Sequence, residues 1–116
     1  FYLENFACAV AVFEADVSAS VRCLFRAARP ECRGKPSRTA TIRRDGGWFG
    51  GAGRAPDLPR DPAVLTEADL SHYVAALTRN GFFGPDSWYM NHEANAALAA
   101  RAPEAGRLAM PVLFLH

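Results

Sequence analysis

The chain has 116 residues, a length that suits one ordinary domain, and half of its residues are hydrophobic, which excludes a fully disordered composition. A formal net charge of only +1 gives no overall attraction to nucleic acid or to anionic membranes. No apolar run is long enough to cross a bilayer and no secretory signal pattern opens the sequence, so we expect a cytoplasmic protein.

The first predicted element is a helix over residues 6–28. Its apolar residues step by fours and threes, which is the spacing of one stripe on an amphipathic helix. The stripe consists of Phe6, Val10, Phe13, Val17, Val21, Leu24 and Ala28. Arginines gather near the C-terminal end, where the helix dipole favours cations, and Pro30 ends the helix.

A long connection over residues 29–65 follows, rich in proline and glycine and without a sustained period. Its first part is basic but lacks interleaved aromatic residues, so we interpret it as a solvated loop and not as a nucleic-acid patch. The glycine-rich run over residues 46–53 lacks the Lys-Ser/Thr ending of a phosphate-binding loop. Its two aromatic residues, Trp48 and Phe49, are expected to hold the loop against a surface.

Two short helices are predicted next. Thr66 followed by Asp69 resembles a capping box, which starts a helix with an apolar face. Gly81 stands where a left-handed C-terminal cap is expected. Residues 82–85 then form a tight link, and Asp86 or Ser87 caps a second helix over residues 87–102.

An apolar run over residues 110–115 predicts a buried strand, entered through Pro111, where a missing N–H is tolerated. A strand that is apolar on both faces suits the interior of a parallel sheet covered by helices. Because the sequence offers no second convincing strand to pair with it, we expect the chain to be a piece of a larger protein.

Metal and disulfide chemistry are not indicated. Three cysteines, an odd number, do not make a disulfide framework, and no C-x-x-C or H-x-x-x-H spacing suggests zinc. We therefore expect reduced thiols and no metal. His92 is tempting as a base, but a solvent-facing or helix-packed histidine is the expected role.

One segment carries a specific motif. It follows the pattern G-F-x-G-P-x-x-W-Y-x-N with Gly81, Phe82, Gly84, Pro85, Trp88, Tyr89 and Asn91. This segment resembles the lid of epoxide hydrolases in the α/β-hydrolase superfamily, and residues 14–27 and 65–74 are similar to the preceding lid helices. The resemblance covers nearly the whole chain and is weakest across the long loop.

The resemblance implies a fragment of an α/β-hydrolase. Residues 1–108 would be a mainly α-helical lid with about three helices and the loop over residues 29–65. Residues 109–116 would be one returning strand of the hydrolase core. The partner implied is the missing hydrolase core domain, which in the family holds the nucleophile, the catalytic His and the carboxylate.

The resemblance also implies a two-step hydrolysis of a small apolar epoxide without a cofactor. An Asp on the core opens the epoxide and forms an ester, and a His-activated water hydrolyses it. Lid tyrosines donate hydrogen bonds to the epoxide oxygen, and a phenol suits this role because its reference pKa of about 10 keeps its proton at neutral pH.

When the roles of the family's lid residues are transferred to the matching positions, the resemblance implies that Tyr89 is the catalytic donor and that Trp88 and Tyr2 are substrate-binding residues. We expect Trp88 to pack behind Tyr89. Alignment backward from residues 24–26 places the second donor tyrosine of the family before Phe1, so that Tyr2 matches a neighbouring aromatic position.

The sequence has no G-x-S-x-G elbow, so the isolated chain is expected to be inactive. Two alternatives stay open. The chain is the lid of another α/β-hydrolase, such as a haloalkane dehalogenase or an esterase, since Trp88 is a residue type that dehalogenases use to bind halide. Otherwise it is a non-enzymatic helical interaction module.

Overall fold

The structure is a computed structural model that describes residues 1–102 and 110–113. The described ranges contain α1 (Tyr2–Glu14), α2 (Val17–Leu24), α3 (Arg38–Thr41), α4 (Glu67–Asn80), α5 (Phe83–Ser87) and α6 (His92–Ala100). They also contain 3-10 turns at Pro30–Cys32, Trp48–Gly51 and Trp88–Met90. The prediction of a mainly helical chain is thus confirmed for these residues, among which no helix is long and apolar enough to cross a membrane.

The strand predicted over residues 110–115 is not formed in its described part. Residues 110–113 have no regular secondary structure and are exposed, and residues 114–116 lie outside the described residues. A strand is completed by hydrogen bonds to a neighbouring strand, and the described residues contain none to pair with. The lid boundary predicted at residue 108 also lies outside the described residues.

The helix predicted over residues 6–28 is two helices, and the prediction of one continuous helix was wrong. Asp16 breaks the helix with an extended backbone (φ −154°), and its Oδ1 accepts a hydrogen bond from the Ala19 N–H at 2.8 Å. The buried Ser20 hydroxyl donates to the Phe13 carbonyl at 2.9 Å. The apolar stripe runs through the break unchanged, so periodicity alone does not reveal it, whereas an Asp cap does.

Phe13 is the centre of the core. It is 2% exposed, and its ring centroid lies 4.8 Å from Trp48, 5.7 Å from Phe49 and 5.1 Å from Phe82. The expectation that the two aromatic residues of the glycine-rich run hold the loop against a surface is therefore confirmed. Through Phe13 the loop, α1 and the residue before α5 share one aromatic cluster.

Helix α4 begins as predicted. The Thr66 hydroxyl accepts from the Asp69 N–H at 3.1 Å and the Asp69 carboxylate accepts from the Thr66 N–H at 2.9 Å, which confirms the capping box. The helix packs on α2, where the ring of Tyr73 stacks on that of Phe25 with centroids 4.9 Å apart.

Gly81 ends α4 with a positive φ of 70°, as a glycine cap requires, but its ψ of −177° is extended and not left-handed. The Phe82 N–H donates to Glu14 Oε1 of α1 at 2.9 Å. The positive φ is what requires glycine at residue 81, and a Cβ there would in addition lie 2.6 Å from the same oxygen, so that the Glu14 side chain would have to move.

The link predicted over residues 82–85 is helical instead, because α5 begins at Phe83 and takes Gly84 and Pro85 into its first turn. A proline fits there, since the first N–H groups of a helix have no partner within the helix. Asp86 therefore lies inside α5 and does not cap the next helix. Helix α6 begins only after Asn91, and all of its residues are exposed.

Candidate functional site

Two tyrosines meet at the surface where α1 packs on α5 and on the turn Trp88–Met90. The rings of Tyr2 and Tyr89 are stacked, with centroids 4.7 Å apart and planes 10° from parallel. Tyr2 lies in the first turn of α1, which non-helical backbone at Asn5 (φ −133°) separates from the rest of the helix. The structure thus brings Tyr89, the expected donor, into contact with Tyr2, which the sequence analysis assigned only to substrate binding.

Trp48 joins the pair from the long loop. Its Nε1–H donates a hydrogen bond to the Tyr2 hydroxyl oxygen at 3.0 Å. This bond occupies a lone pair of that oxygen and leaves the hydroxyl hydrogen free to be donated. The sequence predicted that Trp48 holds the loop but gave no sign that it touches a site residue, because this contact spans 46 residues.

Asp86 is the second residue that sequence reasoning missed as part of the site. Asp86 is only 4% exposed, and its carboxylate oxygen Oδ2 has no hydrogen-bond partner among the described residues. Burial raises the pKa of Asp86 to about 6, the Tyr2 hydroxyl lowers it by hydrogen bonding, and the negative charge of Glu14 raises it. A titratable group with its pKa near neutrality therefore adjoins the tyrosine pair.

The phenol of Tyr2 holds its proton firmly. Burial raises its pKa to about 12, the charge of Asp86 acts in the same direction, and the Trp48 N–H opposes both. Tyr89 also raises it, because two phenolates side by side repel each other. At any pH near neutrality Tyr2 is therefore a neutral hydrogen-bond donor.

Several apolar side chains near the two tyrosines in the sequence are exposed. Tyr89 is 46% exposed and Trp88 is 74% exposed, so the expected packing of Trp88 behind Tyr89 was wrong. Leu3 beside Tyr2 is 67% exposed and Phe83 on α5 is 65% exposed. Exposed apolar side chains are thus neighbours of both tyrosines along the chain or on the helix α5 that α1 packs against.

A cavity of about 830 Å³ lies between the end of α2 and the long loop, and neither tyrosine lines it. Its apolar wall includes Leu24, Ile42 and Phe49, and Trp48 is a further part of its lining. Trp48 therefore contacts both the cavity and the tyrosine pair. In residues 1–102 and 110–113 no group of three or more His, Cys, Asp or Glu side chains is placed to hold a metal ion.

Comparison with known proteins gives partial matches. Over 57 residues the chain is 40% identical to the bifunctional epoxide hydrolase 2 of Sus scrofa, a stretch that is 49% of this chain and 10% of the pig protein. About half of this chain is similar to epoxide hydrolases. Over 63 residues it is 35% identical to epoxide hydrolase A of Mycobacterium tuberculosis, covering 53% of this chain and 19% of that protein.

The chain spans a fifth or less of the length of these curated relatives. No protein-family profile matches the chain, and no solved structure matches it. What the matches establish is an epoxide-hydrolase-like region, and a helical chain is consistent with the helical cap of such an enzyme.

Proposed function

We propose that this chain is the lid region of an epoxide hydrolase in which Tyr2 and Tyr89 both donate hydrogen bonds to the epoxide oxygen. The observation that carries the proposal is the stacked pair of tyrosines at an exposed apolar surface. The partial similarity to epoxide hydrolases supports the substrate class. Tyr2 takes the place of the second donor, which the sequence alignment had put before Phe1.

Two phenols suit the charge that develops in this reaction. When a nucleophile attacks an epoxide carbon, the C–O bond breaks and its electron pair moves onto the oxygen. A positioned donor that stabilises such an oxyanion is worth a few kcal/mol. With its pKa raised to about 12, Tyr2 stays protonated and able to donate, and Tyr89 shares the charge.

The remaining groups belong to the hydrolase core that we propose as the partner of this lid. There an Asp carboxylate would form an ester with the epoxide carbon, and a His would activate the water that hydrolyses it. The product would be a diol, and no cofactor is needed. The apolar surface with Trp88 would bind a small apolar substrate, and Tyr89 would act on its oxygen.

The test uses the protein that contains this chain together with its hydrolase core, assayed with styrene oxide. Tyr89→Phe is expected to lower kcat/KM on the order of 10²-fold, as for removal of one oxyanion donor. Tyr2→Phe should have a comparable effect. The matched control is Tyr73→Phe on α4, which stacks on Phe25 and should leave kcat/KM unchanged.

An unchanged rate in Tyr89→Phe would refute the assignment. Release of halide from a haloalkane, with no turnover of styrene oxide, would favour the dehalogenase alternative.

A further inference from the structure

The glycine-rich run over residues 46–53 adopts a backbone that side chains rarely take. Gly47, just before Trp48, has φ of 123° and ψ of −174°, a region that is almost closed to residues with a Cβ. Phe49, just after Trp48, has φ of 54° and is the one non-glycine residue with a positive φ in the part of the chain that the structure describes. Such strain in a bulky residue persists only where the surrounding structure holds it, and it often occurs at functional sites. The strained turn therefore directs attention to the side chain of Trp48.

The contacts of Trp48 are of two kinds. Its ring centroid lies 4.8 Å from that of the buried Phe13 and 5.9 Å from that of Phe49, and any large apolar side chain could serve this packing. The indole N–H is different, because it donates to the Tyr2 hydroxyl oxygen at 3.0 Å across 46 residues of sequence. The polar contact to Tyr2 is therefore the one that calls for tryptophan at this position.

Tyr2 needs such support because α1 does not hold it firmly. It lies in the first turn of the helix, which the non-helical backbone at Asn5 separates from the buried part of α1. The stacked ring of Tyr89, with its centroid 4.7 Å away, fixes the plane of the Tyr2 ring. The Trp48 N–H fixes the oxygen at its tip. Together the two contacts determine where the Tyr2 hydroxyl lies.

The bond from Trp48 also affects what the Tyr2 hydroxyl can do. A phenol oxygen has two lone pairs and one hydrogen, so the hydroxyl accepts from Trp48 and can still donate. Hydrogen bonds that follow one another in the same direction polarise each other, so the indole N–H strengthens the bond that Tyr2 donates. Burial, the largest influence, raises the pKa of Tyr2 to about 12, and the hydrogen bond from Trp48 opposes this rise. The indole thus makes a weakly acidic phenol a better donor.

We propose that Trp48 is a positioning residue for Tyr2, whose indole N–H holds the phenol oxygen and strengthens the hydrogen bond that Tyr2 donates to the epoxide oxygen. The glycine-rich loop is then part of the donor apparatus of the lid and more than a spacer. The effect on epoxide opening rests on the proposed function, whereas the hydrogen bond from Trp48 to Tyr2 does not.

The direct experiment measures hydrogen exchange of the indole N–H groups by NMR on the full chain labelled with ¹⁵N-tryptophan. The chain has two tryptophans, so Trp48→Phe assigns both signals, and the 74% exposed Trp88 serves as the internal reference. Tyr2→Phe keeps the ring and removes the acceptor, so the Trp48 N–H should exchange about five-fold faster, the factor that one ordinary hydrogen bond corresponds to.

Tyr89→Phe is the matched control, because it removes the hydroxyl on the other side of the same stack and should leave the exchange of the Trp48 N–H unchanged. Circular dichroism establishes that each variant is folded. An exchange rate that stays the same in folded Tyr2→Phe, or that rises equally in Tyr89→Phe, would overturn the proposal.

Activity with styrene oxide tests the consequence in the protein that carries the hydrolase core. Trp48→Phe keeps an aromatic ring against Phe13 and removes the N–H, so kcat should fall about five-fold with little change in KM, since the bond strengthens as charge develops in the transition state. In a Tyr2→Phe background the same change should have no further effect, because the oxygen it acts on is gone. In a Tyr89→Phe background its effect should persist.

Phe49→Leu separates this role from simple packing, because Phe49 shares the contact with Phe13 and carries no hydrogen-bond donor. Any loss of kcat that it causes should be the same whether residue 2 is tyrosine or phenylalanine. If Trp48→Phe behaves in that way too, Trp48 only holds the loop and the proposal is overturned. Absence of epoxide turnover in the unaltered protein would refute the proposed function, and the indole exchange would still decide whether Trp48 positions Tyr2.

Discussion

Helices α5 and α6 follow each other in the chain, yet they are held in different ways. Helix α5 packs on α1, with Phe83 and Phe6 in edge-to-face contact at 5.3 Å, and it buries Asp86. Helix α6 buries no residue, and its largest apolar side chain, Leu98, is 63% exposed. Its alanines favour a helix by propensity, whereas α5 is fixed by tertiary contacts, so only α5 can hold a site in a defined geometry.

The largest effect should come from the aromatic cluster that precedes α5. Phe13→Ala is expected to destabilise the chain by about 3–5 kcal/mol, because it empties the space that Trp48, Phe49 and Phe82 enclose. Urea unfolding measures this loss. The control is Phe83→Ala, which removes a ring that is 65% exposed and should cost far less. Equal losses in the two variants would contradict a core centred on Phe13.

Asp86→Asn should stabilise the chain at pH 8 and not at pH 3. Burial raises the folded-state pKa of Asp86 from 3.8 to about 6, so the protonated acid is the form that the folded chain prefers. Its stabilising contribution is complete below pH 3.8 and is lost as the pH rises through about 6. The loss is at most about 3 kcal/mol for a shift of about two units.

The measurement is the urea midpoint of the unaltered chain and of Asp86→Asn at both pH values. Glu93→Gln on α6 changes an exposed carboxylate and serves as the control, with little expected difference between the two pH values. A destabilisation by Asp86→Asn at pH 8 that persists at pH 3 would mean that Asp86 is needed for packing and not for its charge.

The first residues of α6 can also be compared with those of α4, because α4 has a side-chain cap and α6 has none. Thr66→Ala removes the capping hydroxyl of α4 and should cost about 1 kcal/mol. Asn91→Ala at the start of α6 removes no cap, since Asn91 makes no side-chain cap hydrogen bond there. Urea unfolding compares the two, and amide exchange at Asp69 reports the cap locally. A larger loss in Asn91→Ala than in Thr66→Ala would reverse the ranking of the two helices.

The smallest effect is expected on α6 itself. Leu98→Ala should change stability by no more than about 0.5 kcal/mol, because the side chain is mostly in contact with solvent. Thermal unfolding of the chain measures it. A loss above about 1 kcal/mol would show that α6 packs on a surface and is not held by propensity alone.

Local signals were readable from the sequence. The Thr66–Asp69 capping box acts over three residues, and it was found because its pattern is short and chemically specific. Trp48 and Phe49 were predicted to hold the loop because two large aromatic residues between glycines gain much by burial. Tyr89 came from a motif, and its catalytic role remains a prediction.

The contacts that make the site were not readable. The pairing of Tyr2 with Tyr89 depends on how α1 packs on α5, and alignment alone kept the two apart. The break at Asp16 was hidden by an apolar stripe that continues on both sides of it. Asp86 has the side chain of a capping residue, and only the fold places it inside a helix with its carboxylate buried.

The backbone of Gly81 has a consequence for how such sequences diverge. With φ of 70° and ψ of −177°, residue 81 lies in a conformation that is essentially restricted to glycine, whereas the Glu14 oxygen that a side chain there would meet belongs to a flexible side chain that can move. A change at residue 14 would therefore relieve the contact but not the backbone strain. We expect homologues to keep glycine at position 81 whichever residue stands at position 14.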